Sequence, residues 1–186
     1  MPRVVLFNKP YGVICQFSPS EGKKTLKDFV PVTGIYPAGR LDTDSEGLLI
    51  LTDDGILQHT VSHPANKWPK TYWVQVENIP DKAALTRLRT GVDLGDFVSA
   101  PATVNAIAEP AGLWERSPPV RFRQSIPTSW LEIEIREGKN RQIRRMTAAA
   151  GFPTLRLIRN RIGHWSLSGL GSGQYRLLPV DETKRQ

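Results

Sequence analysis

Two stretches of this chain, 70-KTYWVQVEN-78 and 130-WLEIEIREG-138, alternate apolar and polar side chains along their length. A β-strand sends successive side chains to opposite faces, so this pattern gives one buried and one wetter face. Such strands need a sheet to pair in, and the rest of the chain supplies it. The apolar run at 4–8 predicts a strand that 10-PYG-12 turns back into a second strand, 12-GVICQF-17, as an opening hairpin. The fully apolar 47-GLLILT-52 predicts a buried strand, and further strands are expected within 97–109, at 155–163 and at 174–180.

Helices are short. They are expected at 25–30, ended by Pro31, and at 56–63, stopped by Pro64. A third, over 80–91, has Asp81 as N-cap, Gly91 as C-cap and an apolar face of Ala84, Leu85 and Leu88. A fourth, over 140–151, has Asn140 as cap and Gly151 as stop, with Ile143, Met146, Ala149 and Ala150 facing the core. Fifteen prolines and fifteen glycines keep segments such as 31–40 and 110–129 irregular. The expected class is α+β, a mostly antiparallel mixed sheet with flanking helices. At 186 residues the chain is expected to be one domain with two lobes, roughly 1–66 and 67–186.

Bulk properties exclude several classes. No run of about 18 apolar residues is present, which argues against a membrane helix. The opening 1-MPRVVLFNKP-10 is too short in its apolar part for a secretory signal. Cys15 is the only cysteine, so no internal disulfide forms, and His59, His63 and His164 are too scattered to complete a zinc site. The chain is expected to be cytoplasmic. Its net charge of +7 is concentrated in one place. Arg136, Lys139, Arg141, Arg144, Arg145, Arg156, Arg159 and Arg161, offset by Glu137 alone, account for all of it. An arginine-rich excess in one segment suits a partner with many phosphates; a solvated basic face is the plainer alternative.

The stretch 42-DTDSEG-47 has the acidic spacing of a calcium loop. Context argues against calcium. Gly34, Pro37 and Gly39 precede it where a helix belongs, and 48-LLIL-51 is an apolar strand where ligands belong.

The longer string 38-AGRLDTDSEGLLILTDDG-55 resembles the signature of RNA pseudouridine synthases, in the branch typified by the small-subunit enzyme RsuA. Three further segments agree in order: 8-NKPYGVICQ-16, 70-KTYWV-74 and 137-EGKNRQIRRM-146. Within the branch, the resemblance is to enzymes of large-subunit ribosomal RNA. It implies the pseudouridine synthase fold, with a central active-site cleft, and a single catalytic domain over 1–186. Many relatives carry an S4-type RNA-binding domain ahead of the catalytic part, and none is expected here.

The implied reaction turns uridine into pseudouridine. The N1–C1′ bond breaks, the uracil rotates, C5 bonds to C1′ and the C5 proton leaves. Neither cofactor nor metal is required. Asp42 matches the family's essential carboxylate, as nucleophile at a sugar carbon, as base toward a sugar proton, or in attack at uracil C6. Arg144 matches the basic residue that would pair with it and offset its desolvation. Tyr72 matches the tyrosine that would stack on the extruded uracil and help remove the C5 proton. Arg40, Lys139, Arg141, Arg145, Arg156, Arg159 and Arg161 are the expected RNA contacts. The partner is ribosomal RNA; no protein partner or membrane is implied, and a monomer is expected. Asp44, Glu46, Asp53 and Asp54 are read as turn and cap residues. The competing readings are RNA binding without catalysis, and a synthase for transfer or small-subunit RNA.

Overall fold

The structure is a computed structural model in which residues 2–121 and 123–179 are described. Phe122 and Val180, which fall in the expected 110–129 loop and at the end of the expected last strand, lie outside the described residues. The chain divides into two compact units. The first runs up to Trp68 and resumes at Arg159; the second is Pro69–Ile158. Where the sequence suggested lobes of 1–66 and 67–186, the C-terminal segment returns to the first unit.

In the first unit, β1 (Val4–Lys9) lies between β3 (Glu46–Thr52) and β9 (Tyr175–Leu178), antiparallel to both. Val4 stands opposite Thr52 and Lys9 opposite Gly47 on one side; Val4 stands opposite Leu178 on the other. Every residue of β1 and β3 is buried, as an apolar strand paired on both edges requires. The short β2 (Tyr36–Pro37) adds to β3, and β8 (Trp165–Ser166) adds to the end of β7 (Thr154–Ile162). α1 (Gly55–Ser62) follows β3, capped by the Asp54 carboxylate, which accepts from the amides of Ile56 and Leu57. Asp53 pairs with Arg3 at 2.7 Å, and that guanidinium holds its carboxyl below the usual range.

The opening hairpin is not formed. Residues 12–17 lie along 24–26 instead, with the Ile14 amide donating to Lys24 and the Leu26 amide to Gln16. The reason is competition for edges. Both sides of β1 are taken by β3 and β9, so no ladder remains for 12–17. Val13 and Cys15 join Phe7, Leu26, Leu41 and Leu49 in the apolar core instead.

In the second unit the sheet runs β5 (Thr103–Ile107), β6 (Thr128–Ile135), β4 (Lys70–Glu77), β7, and both alternating stretches become adjacent antiparallel strands. α2 (Lys82–Thr90) has the expected Asp81 cap and Gly91 terminus. α3 (Gln142–Ala149) differs at its start. Arg141, in a left-handed conformation with φ 54°, is its N-cap, and Asn140 is not. Its buried face is Gln142, Ile143, Met146 and Thr147, continued by Ala150, while Ala149 is exposed. The helical repeat from Ile143 lands on 146, 147 and 150, which leaves 149 on the wet side.

One position shows how closely the first unit is packed. A Cβ on Gly47, at φ 112°, would lie 2.3 Å from the carbonyl oxygen of Arg159 in β7 and 2.7 Å from its amide nitrogen. Replacing Gly47 by alanine is expected to cost about 3 kcal/mol, from positive-φ strain plus overpacking against backbone. Urea unfolding followed by tryptophan fluorescence measures it.

Candidate active site

The loop carrying Asp42 joins β2 to β3 within the first unit. The Ala38 amide donates to Ile50 at 2.8 Å, which fixes where the loop begins. Leu41 is buried in the apolar core and anchors it from beneath. The Ser45 amide closes a turn on the Asp42 carbonyl at 3.0 Å, and the Gly12 amide reaches the Thr43 carbonyl at 2.8 Å. Asp42 itself is half-buried and Arg40 is exposed. The strand that follows occupies the positions a calcium loop would need for ligands.

Two buried cations hold this loop. Lys9, at 0% exposure, donates from Nζ to the carbonyls of Val13 at 2.9 Å, Pro10 at 3.0 Å and Thr43 at 3.4 Å. Burial pushes its pKa down to about 8, although nearby Cys15, Glu46 and Asp44 favour the charged form. Arg159, at 4% exposure, donates from Nε to the Leu48 carbonyl at 2.9 Å and from Nη1 to the Arg40 carbonyl at 3.3 Å.

The second unit holds the other expected residues. Tyr72 lies on the core face of β4 with Val74 and Val76; it is 8% exposed where they are 0%, so it stands at the rim of that core. The same cluster contains Ile143 and Met146 of α3, and Arg144 is half-buried between those two in sequence. The turn before α3 is organised by Gln142. Its side chain donates to Glu137 at 2.7 Å and accepts from the Lys139 amide at 3.2 Å, while Glu137 also takes the Ala100 amide at 2.7 Å. Lys139 and Arg141 are exposed. Arg145 is ion-paired to Asp96 and bonds the Leu94 carbonyl at 3.1 Å. Lys139 and Arg145 both lie over the Phe97 ring, at 4.6 and 5.4 Å.

The basic segment therefore separates. Arg141 and Arg161 are exposed, as their expected contact with RNA requires of their position. Arg156 and Arg159, also expected as RNA contacts, are buried instead. Arg156, 6% exposed, bonds the Trp114 carbonyl at 3.0 Å and lies 5.7 Å from that ring, so it fastens the 110–120 loop to β7. Lys9 and Gln142 were not singled out from sequence. Their place inside two of the matching motifs, in residue types that are rarely buried, was the only signal.

Among the described residues, no group of three His, Cys, Asp or Glu side chains is placed to hold a metal ion. His59 and His63 lie 4.6 Å apart by ring centroid, and His63 Nδ1 already accepts the Ala65 amide. No helix among the described residues is long and apolar enough to cross a membrane.

Residues 3–149 match the family model of RNA pseudouridylate synthases, and the chain belongs to that family. It is accordingly an isomerase, with the α+β pseudouridine synthase fold. It is 56% identical over 174 residues to the ribosomal large subunit pseudouridine synthase E of Vibrio vulnificus, covering 94% of this chain and 74% of that one. It is 54% identical over 176 residues to the synthase E of Xanthomonas campestris pv. campestris, covering 94% of both. A crystal structure of a pseudouridylate synthase superimposes with a TM-score of 0.79 at 26% identity, covering 98% of this chain and 72% of that one.

Lys9 makes the stability of the first unit pH-dependent. In the unfolded chain its pKa returns to about 10.4, so between about pH 8 and 10.4 the unfolded state binds more protons and stability rises with pH. Relative to Lys9→Met, the wild type is expected to gain about 2 kcal/mol between pH 7 and 9.5. Urea titrations of both proteins at the two pH values check it.

Proposed function

We propose that this protein converts a specific uridine of large-subunit ribosomal RNA to pseudouridine, with Asp42 as the essential carboxylate. The large-subunit target rests on the names of the two synthase E relatives. The role of Asp42 rests on one observation: the segment that carries it is fixed from below by Leu41 and bonded through the carbonyls of Arg40, Asp42 and Thr43. A half-buried carboxylate on a loop so constrained is suited to a reaction in which a reacting carbon has to be met at a fixed place.

The isomerisation conserves every atom of the uridine. The N1–C1′ bond breaks, the freed uracil turns, C5 joins C1′, and the proton on C5 is removed and returned to N1 or solvent. Asp42 acts as nucleophile or base in the first half. Arg144 is the proposed cationic partner that offsets the desolvation of that carboxylate. Tyr72 stacks on the flipped base, and its hydroxyl takes part in removing the C5 proton. Arg40, Lys139, Arg141, Arg145 and Arg161 contact the RNA backbone. Residues 1–186 work as one catalytic domain, monomeric and cytoplasmic, without cofactor or protein partner.

Purified protein incubated with unmodified 23S ribosomal RNA tritiated at uracil C5 is expected to release tritium. Asp42→Asn is expected to release none above background while binding the RNA normally. Release by Asp42→Asn at the wild-type rate would remove Asp42 from the mechanism. For the RNA face, alanine at both Lys139 and Arg141 should flatten the plot of log affinity against log salt, by roughly 0.7–0.9 for each phosphate that is no longer neutralised. Filter binding at several salt concentrations measures that slope.

A further inference from the structure

Arg159 is difficult to explain as a stabilising residue. Taking a guanidinium out of water costs several kcal/mol, and an apolar side chain of similar size commonly fills such a place at no loss. Its two hydrogen bonds have a pattern. One goes to Arg40 and the other to Leu48, the residues that bracket the 41–47 segment. One planar group thus ties the entry of the Asp42 loop to its exit.

The backbone is shaped to allow this. Gly47 has no side chain where β7 passes, and with one the carbonyl of Arg159 would be met at 2.3 Å. The glycine lets Arg159 come close enough for Nε to reach Leu48, one residue beyond. A lysine at the same place has a single ammonium on a flexible stem and cannot reproduce a fork held by two divergent carbonyls. A second buried cation, Lys9, already serves the middle of the same loop at Thr43. Arg159 lies near enough to disfavour its charge. Two like charges are thus buried within electrostatic reach of each other and act on one loop.

We propose that Arg159 is a positioning residue for catalysis: it brackets the Arg40–Leu48 loop and so sets where the Asp42 carboxylate stands, without touching RNA. The proposal rests on the reading that Asp42 is the essential carboxylate. It assigns to chain geometry a residue whose charge alone suggested RNA contact.

The test uses the full chain as wild type, Arg159→Lys, Arg159→Met and Asp42→Asn, at a temperature where all four keep wild-type circular dichroism. Single-turnover tritium release from saturating 23S RNA gives the chemical rate, and filter binding across a salt series gives affinity and its salt slope. A misplacement of about 1 Å can cost about 100-fold in rate. Arg159→Lys and Arg159→Met are therefore expected to slow release by roughly that factor, with RNA affinity within about twofold of wild type and an unchanged salt slope. Amide exchange should quicken at Gly12 and Ser45, whose bonds hold Thr43 and Asp42, while that of the second unit is unaltered.

Release within about threefold of wild type in both variants would overturn the proposal. So would a drop in affinity with a salt slope shallower by about one, which would make Arg159 a phosphate contact. If Asp42→Asn is silent while both Arg159 variants are fully active, the positioning role fails alone. If Asp42→Asn keeps wild-type release, the reading of Asp42 fails and the positioning role falls with it.

Discussion

The close approach of β3 to β7 at Gly47 governs much of the first unit. Because that position carries no side chain, the Arg159 backbone meets the strand at a distance no Cβ would permit. From there the Arg159 side chain reaches two carbonyls, and from the other flank Lys9 reaches a third. Remove the approach and the Asp42 loop loses one of the two cations that organise it. A single missing methyl group thus determines the backbone around the residue on which the chemistry is proposed to turn.

The elements that sequence made legible are those whose signals are local. β4 and β6 declare themselves by alternation, and α2 by Asp81, Gly91 and an apolar stripe. The 12–17 segment reads equally well as a strand, yet strand formation needs a free edge, and whether β1 has one depends on residues 46–52 and 175–178. The start of α3 was hidden for a related reason. Asn140 is a good cap by type, but the turn is held by Gln142 and Glu137, so Arg141 takes the capping position in a left-handed conformation.

The site was legible as motif and partly illegible as physics. Asp42, Tyr72 and Arg144 are proposed because they sit inside recognisable strings. What charge does in each arginine was not legible. Sequence concentrates the whole net charge in 136–161 and suggests one uniform face. Burial divides that segment into exposed Arg141 and Arg161, a paired Arg145, and Arg156 and Arg159 turned inward. Burial of a charged side chain is decided by partners far along the chain, here the carbonyls of Arg40, Leu48 and Trp114, and no local pattern encodes it.

The central strand of the first unit, β1, pairs with β9, so residues at the two ends of the chain complete the same ladder. The second unit, Pro69–Ile158, is continuous in sequence. During synthesis these halves face different schedules. The later-made unit is synthesised as one uninterrupted stretch. The earlier-made one must hold an apolar strand with an unfilled edge until β9 is translated, and long-range closures of this kind are slow and exposed to misassociation. The unit that carries Asp42 is begun before Pro69–Ile158 is made and closed only after it.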